Sequence, residues 1–303
     1  MTNQESYQKY LNELVEAGLL VPSGVKGVYA RSGAFEKVVT SFEAYVSRMC
    51  AHIKADALYF PPVLNRNHYT CTDHIHNFPD LMGSVHSFLG NEAAQSEMVR
   101  KLEEKEDWTR DLKATDVMMA PAACYALYPA NTGTLPAGGR TVDLTSFVFR
   151  HEPSDDPARM QIFRMHEYVR IGTPEEAMKH RSDWLELGRK ILESLELNVK
   201  VVVANDPFFG RGGRLRKATQ REQDLKHEFV VPICSEENPT AIGSCNYHLD
   251  SFGKKFDIKT SDGNTAHSSC IGFGLERVTL ALFKTHGLDV TKWPINVREN
   301  LNL

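Results

Sequence analysis

Two widely separated segments constrain this chain more than any others. The first is Phe149-Arg150-His151-Glu152 leading into Gln161-Ile162-Phe163-Arg164-Met165-His166-Glu167; the second is Gly272-Phe273-Gly274-Leu275-Glu276-Arg277. In the first, residues 145–152 and 161–171 are strand-like and are joined by a polar, proline-flanked loop over 153–160, which predicts a β-hairpin. Side chains alternate faces along a strand. Arg150 and Glu152 should therefore share one face, and Phe163, Met165, Glu167 and Val169 one face of the partner. Such a hairpin offers a cation for a phosphate, a carboxylate for an amine edge and an aromatic plate for a base. That inventory suits ATP.

The second segment predicts a strand over 268–271 that runs into two glycines and then a helix, marked by Leu275, Val278 and Leu282, with Arg277 in its first turn. Without a Cβ at Gly272 and Gly274, backbone can approach a ligand closely. A helix N-terminus carrying an arginine also favours anionic oxygen. Taken alone, the same residues would equally make an ordinary strand-to-helix turn with a solvated arginine.

In this order the two segments resemble motifs 2 and 3 of the class II aminoacyl-tRNA synthetases. A stretch with Phe35, Val38, Val39, Phe42, Tyr45, Val46, Met49 and Ile53 at helical spacing feeds into Leu58-Tyr59-Phe60-Pro61-Pro62, as motif 1 does. The likeness covers about 30–295 and implies an α+β fold, an antiparallel β-sheet flanked by helices. It also implies a homodimer, since motif 1 builds the two-fold interface in that class. Within the class the chain is most similar to the seryl-tRNA synthetase core. Thr173-Pro174-Glu175-Glu176 reads as a capped helix start, and strands are expected over 199–204, 228–232 and 241–246. Where seryl enzymes carry a magnesium-binding Glu three residues before a Ser, this chain has Ala241 before Ser244, which leaves magnesium to Glu228 and Ser244.

Only thirty-odd residues precede the Phe35 helix, too few for the tRNA-gripping arm of seryl enzymes. A net charge of -4, from 35 basic and 39 acidic residues, gives no basic footprint for RNA. A core of this kind is similar to the amino acid:carrier protein ligases. The resemblance implies ATP-dependent activation of a small amino acid, glycine first and alanine next, and transfer to the phosphopantetheine thiol of a carrier protein, with no tRNA substrate. A seryl-tRNA synthetase-like enzyme and a non-catalytic sensor of amino acid or nucleotide are the alternatives. Arg150 and Arg277 speak against the sensor.

The resemblance also implies site roles. Cys124, Glu167 and Cys270 would hold Zn2+ in the amino acid pocket, its fourth position open to the substrate amine. Arg150 would hold the α-phosphate, and Arg277 and Arg159 the β- and γ-phosphates. Phe163 and Arg277 would sandwich adenine while Glu152 accepts from its exocyclic amine. Arg211, Arg214, Arg216 and Lys217 lie in a glycine-rich stretch that departs from the seryl core and would receive an acidic carrier, with His180, Arg181 and Arg189 as the other wall; a solvated loop is the competing reading. His68, His74 and His76 near Cys71 look like a metal cluster but fall where seryl cores have a mobile loop. The run 100–110, of alternating charge, fits an exposed helix.

Composition fits one catalytic domain over 1–303, with 1–30 a short helical extension and 205–227 a non-standard insertion. With 42% hydrophobic residues there is material for a large core. No apolar run approaches a membrane span, and the N-terminus has no signal-like stretch. Six cysteines without a CxxC pair fit reduced thiols. A cytoplasmic, non-membrane enzyme is expected.

Overall fold

The computed structural model describes residues 2–206 and 224–303. Its framework is a seven-stranded sheet. In chain order its strands are β1 (Asp56–Tyr59), β2 (Arg140–Phe149), β3 (Ile162–Gly172), β4 (Lys200–Val203), β5 (Lys226–Val231), β6 (Thr240–Leu249) and β7 (His267–Gly274). They lie in the order β4-β5-β6-β7-β3-β2-β1, every pair antiparallel except the parallel edge pair of β1 and β2. This is the expected α+β architecture.

Helices cover one face. α1 (Asn3–Glu16) opens on a capping box between Thr2 and Glu5, and its Tyr10 hydroxyl donates to the Leu280 carbonyl at 2.6 Å. α2 (Gly33–Met49) buries Phe35, Val38, Val39, Phe42, Tyr45 and Val46, the i, i+3, i+4 stripe read from the sequence. α3 (Pro174–Glu193) starts as predicted: Glu176 N–H donates to Thr173 Oγ1 at 3.3 Å, and Thr173 N–H donates to Glu176 Oε2 at 2.9 Å. It packs across β3, β6 and β7. Gly188 brings it down onto the sheet, since a Cβ there would lie 2.8 Å from the Phe229 ring. α4 (Leu275–His286) stacks Phe283 on Phe35 of α2 at 5.8 Å.

One hydrophobic cluster runs from Tyr10 to Leu301 through all these elements. A smaller cluster of Leu64, Tyr69, Met118 and Ala120 sits under a three-stranded sheet made by Val63–Asn65, Ser84–Phe88 and Leu112–Met119. Among the described residues no helix is long and apolar enough to cross a membrane.

Several sequence expectations shift. The first hairpin strand ends at Phe149, and Glu152 N–H turns back to the Arg150 carbonyl at 2.8 Å. Arg150 and Glu152 therefore do not share a strand face, because alternation requires extended backbone through both. Gly272 and Gly274 lie inside β7 rather than in a turn after it. α2 ends at Met49, so Ile53 falls in a separate short turn. The charged run is half helix: Glu92–Glu103 is helical, and Trp108–Asp111 forms a 3-10 turn. The N-terminal extension adds a small hairpin, Leu20–Pro22 with Tyr29–Arg31, to its helix. Of the expected insertion, 226 and 227 already belong to β5; Arg211, Arg214, Arg216 and Lys217 lie outside the described residues.

Candidate active site

Strand register assembles the site. Glu167 pairs with Gly272, Gly272 with Ser244 and Ser244 with Glu228, so one row crosses four strands. The next row is Val169, Cys270, Asn246 and Lys226. Side chains in register on neighbouring strands point the same way. Both rows face away from α3 and floor a cavity of about 890 Å³, lined also by Arg150, Phe163, Met165, Gly274 and Arg277. That volume suits a nucleotide with a small second substrate.

At the floor, ligand atoms of Cys124, Glu167 and Cys270 all lie within 4.8 Å of one another, and all three residues are buried. Glu167 is fixed by N–H donors from Ala123 at 3.0 Å and Cys124 at 3.4 Å. Gly272 leaves room for it, since a Cβ there would sit 3.3 Å from Glu167 Cγ. Burial first, then the Cys270 charge, pushes the Glu167 carboxyl up to about 7. Cys270 is held well below the usual thiol range, first by a hydrogen bond from the Cys124 thiol and also by His248 and Asn246. Cys124 is driven well above it by that same bond and by burial. The two thiols are joined through that bond, with Cys270 the more acidic of the pair.

Two residues the sequence reading missed explain that asymmetry. Asn246 Nδ2 donates to Cys270 Sγ at 3.6 Å, and His248 Nε2 approaches the same sulfur at 3.6 Å. The hydroxyls of Ser268 at 3.0 Å and Tyr128 at 3.3 Å converge on His248 Nδ1 and hold the ring with its Nε2 toward the sulfur. Asn246 and His248 alternate along β6, and a period-two pattern in a strand of unknown register was their only sequence signal. Two thiolate-capable sulfurs and a carboxylate, with fixed outer partners, form a donor set that fits zinc.

The nucleotide side departs in detail from expectation. Arg277 lies in the first turn of α4 and is tied to the Ala158 carbonyl at 2.7 Å and the Ala241 carbonyl at 3.0 Å. Burial, then the Arg159 and Arg150 charges, pulls its guanidinium down to about 10. Its guanidinium carbon lies 5.9 Å from the Phe163 ring centre, and that of Arg150 lies 5.6 Å from it. Adenine between two plates needs roughly 7 Å, twice a van der Waals contact, so Arg277 must withdraw by about 1 Å to admit a base. Arg159 and Glu152 are brought together, Nη1 to Oε1 at 2.5 Å, and neither lines the cavity. Glu228 and Ser244 do line it, but Glu228 is shared with buried Lys226 at 3.0 Å, which also reaches Asp206 at 2.5 Å. Among the described residues the histidines near Cys71 form no metal cluster; His74 instead lines the cavity. Of the proposed second docking wall, His180 binds Ser269 Oγ at 3.0 Å and Arg189 pairs with Glu186 and Glu193, both within its own helix.

No protein-family model matches the chain. It is 40% identical over 284 residues to amino acid–(acyl-carrier-protein) ligase 1 of Bradyrhizobium diazoefficiens, covering 92% of this chain and 86% of that protein. The chain belongs to the amino acid–(acyl-carrier-protein) ligases. Among solved structures, the Methanopyrus kandleri seryl-tRNA synthetase bound to an Aquifex aeolicus tRNASec superposes on this ligase with TM-score 0.81 at 22% identity, over 97% of this chain and 60% of that one. Seryl-tRNA synthetase from Pyrococcus horikoshii, complexed with ATP, gives 0.71 at 12% identity over 97% and 62%. The ligase thus has the class II synthetase fold and spans a little under two thirds of those structures.

Proposed function

We propose that this ligase activates a small amino acid with ATP as an aminoacyl-adenylate and passes it to the pantetheine thiol of a carrier protein. One observation carries the reading: a single cavity joins a sulfur-and-carboxylate floor to an aromatic plate flanked by two arginines. Family membership supports the carrier as acceptor.

The first step needs no base, because an amino acid carboxylate is ionised near neutral pH and attacks the α-phosphorus directly. Catalysis is then charge stabilisation. Arg150, tethered through Nε to the Pro121 carbonyl at 3.1 Å, presents its remaining N–H groups to the α-phosphate. Arg277, on its two carbonyl tethers, meets the nucleotide from the α4 N-terminus, with Phe163 under the base. Glu152 and Arg159 act from the rim once their ion pair opens, Arg159 toward the outer phosphates and Glu152 toward the adenine amine. Glu228 and Ser244 would receive magnesium travelling with the nucleotide, at the expense of the Lys226 contact. Cys124, Glu167 and Cys270 would hold zinc, which supplies a Lewis-acid anchor that selects a neutral amine.

Glycine is the favoured substrate and alanine the next. Buried Tyr128, stacked at 3.8 Å on Phe252, and buried Cys124 support this reading by filling the core behind the floor. The whole chain is read as one catalytic unit working as a homodimer, since Met49 and Tyr59, at the end of α2 and in β1, are 41% and 81% exposed.

The test offers ATP, magnesium and labelled glycine or alanine with holo carrier, apo carrier lacking pantetheine, and total tRNA in parallel. Label on the holo carrier alone is expected. Label on tRNA instead would overturn the reading.

A further inference from the structure

The cavity wall opposite the sheet is the segment between Asn65 and Met82, with a six-residue helix Arg66–Cys71 and a single turn His74–Asn77. His74 is its buried member, 4% exposed and lining the cavity. Among the described residues neither of its ring nitrogens has a hydrogen-bond partner, both are covered in the empty cavity, and the hydroxyl of Tyr69, whose ring packs edge-on at 5.4 Å, has none either. The ring is fixed by Phe78 at 5.2 Å and Tyr125 at 6.0 Å, aromatic neighbours that leave both nitrogens unpaired. Buried polar atoms are almost always satisfied, so a doubly unpaired imidazole on a substrate cavity marks a place where a ligand completes the bonding. Burial, then the Arg150 charge, pushes His74 down to about 4, so in the empty cavity the ring is neutral near pH 7 and a weak base.

The adenylation step has no use for such a group, but the transfer step does. We propose that His74 accepts the thiol proton when the carrier's pantetheine attacks the aminoacyl-adenylate. The S–H bond breaks as the N–H bond forms. The sulfur electron pair makes the C–S bond to the acyl carbon, the C–O bond to the phosphate breaks, and AMP leaves with that pair. His74 then returns its proton to AMP or water. The other charged and titratable groups facing this wall are committed elsewhere or exposed. Asp73 pairs with Lys255 at 2.5 Å and Lys226 with Asp206 and Glu228; His248 is held by Cys270, Ser268 and Tyr128, and His76 lines the cavity from an exposed position; Tyr69 and Tyr125 hold their protons, and Arg150 is a cation. The adenylate phosphate offsets the Arg150 charge beside His74, which makes the ring more basic only when an acyl group is waiting.

This proposal rests on the carrier-transfer reading, and its test separates the two. ATP–pyrophosphate exchange and single-turnover transfer from preformed adenylate are measured for wild type, His74→Phe and His74→Gln, between pH 7 and 9, with a holo acyl carrier protein as acceptor. General-base loss costs on the order of 10²-fold, so transfer at pH 7 should fall about that much, and at least roughly tenfold more than exchange. The defect should shrink as pH rises and thiolate forms without help. His74→Gln keeps the shape of the ring's contacts, and it should show the same pH rescue if His74→Phe folds poorly. Unchanged transfer, equal loss in both half-reactions, or a defect independent of pH would overturn the role. Wild type that fails to load the carrier would sink the carrier reading, and this role with it.

Discussion

The two walls of the cavity are built in opposite ways. On the sheet wall every polar side chain that faces the substrates is held by the protein: Glu167 by two backbone N–H groups, Cys270 by Asn246 and His248, Glu228 by Lys226, Arg277 by two carbonyls. On the loop wall His74 and the Tyr69 hydroxyl have no hydrogen-bond partners among the described residues. Pre-formed hydrogen bonds fix charges before substrate arrives and lower the reorganisation needed at the reacting centre. Unmet ones store a cost that only an incoming group removes. The sheet wall is thus organised for the first substrates bound, and the loop wall for the last.

The sharpest way to break this comparison is at the floor. Cys124→Ala should leave far less than one zinc per chain after purification without chelator, and slow pyrophosphate exchange by roughly 10²-fold or more, since even outer partners of a metal ligand are worth 10–100-fold; metal analysis and exchange assays check this. His248→Phe keeps all three ligands and removes the imidazole contact to Cys270 Sγ. Zinc affinity, read by chelator competition, should fall about tenfold or more, with Asn246→Ala close behind. Arg150→Ala removes a charge-assisted contact worth about 1.5–3 kcal/mol, so adenylation should slow by about tenfold or more while the thermal midpoint holds. Unchanged exchange would remove Arg150 from the phosphate site.

The smallest effect expected is on stability. His74 titrates near 4 in the folded chain against 6.5 unfolded, so the unfolded chain binds more protons between those values. Its contribution is fully present above about 6.5 and is lost as pH falls toward 4. Melting at pH 7 and pH 5 should therefore show a loss on acidification that is smaller in His74→Phe than in wild type. An equal loss in both would place the acid sensitivity elsewhere.

Local signals in the sequence were read correctly where they depend on neighbours along the chain. The α2 stripe and the Thr173–Glu176 capping box follow from helical spacing, and the position of Arg277 follows from glycines preceding an apolar period. Errors arose where the backbone turns. Alternation carried Arg150 and Glu152 onto one face because nothing in Phe149-Arg150-His151-Glu152 announces the bend after Phe149. The strand expected over 268–271 stopped short of the glycines because a strand interior tolerates glycine mainly where another side chain needs its space, and at Gly272 Glu167 is that side chain. Asn246 and His248 carried only a period-two pattern, which could not reveal their role because that depends on which strand lies beside β6.

By itself the sequence determined the elements, the hairpin, the two arginines and, through family resemblance, the identity of the three floor residues. Tertiary structure alone decided the register that sets Glu167, Gly272, Ser244 and Glu228 in one row, which of the two cysteines is the more acidic, and that His74 lines the cavity with no hydrogen-bond partner among the described residues. Periodicity is a property of consecutive residues, whereas register, burial and the sharing of a proton are set by groups that meet only after the sheet has closed over its core.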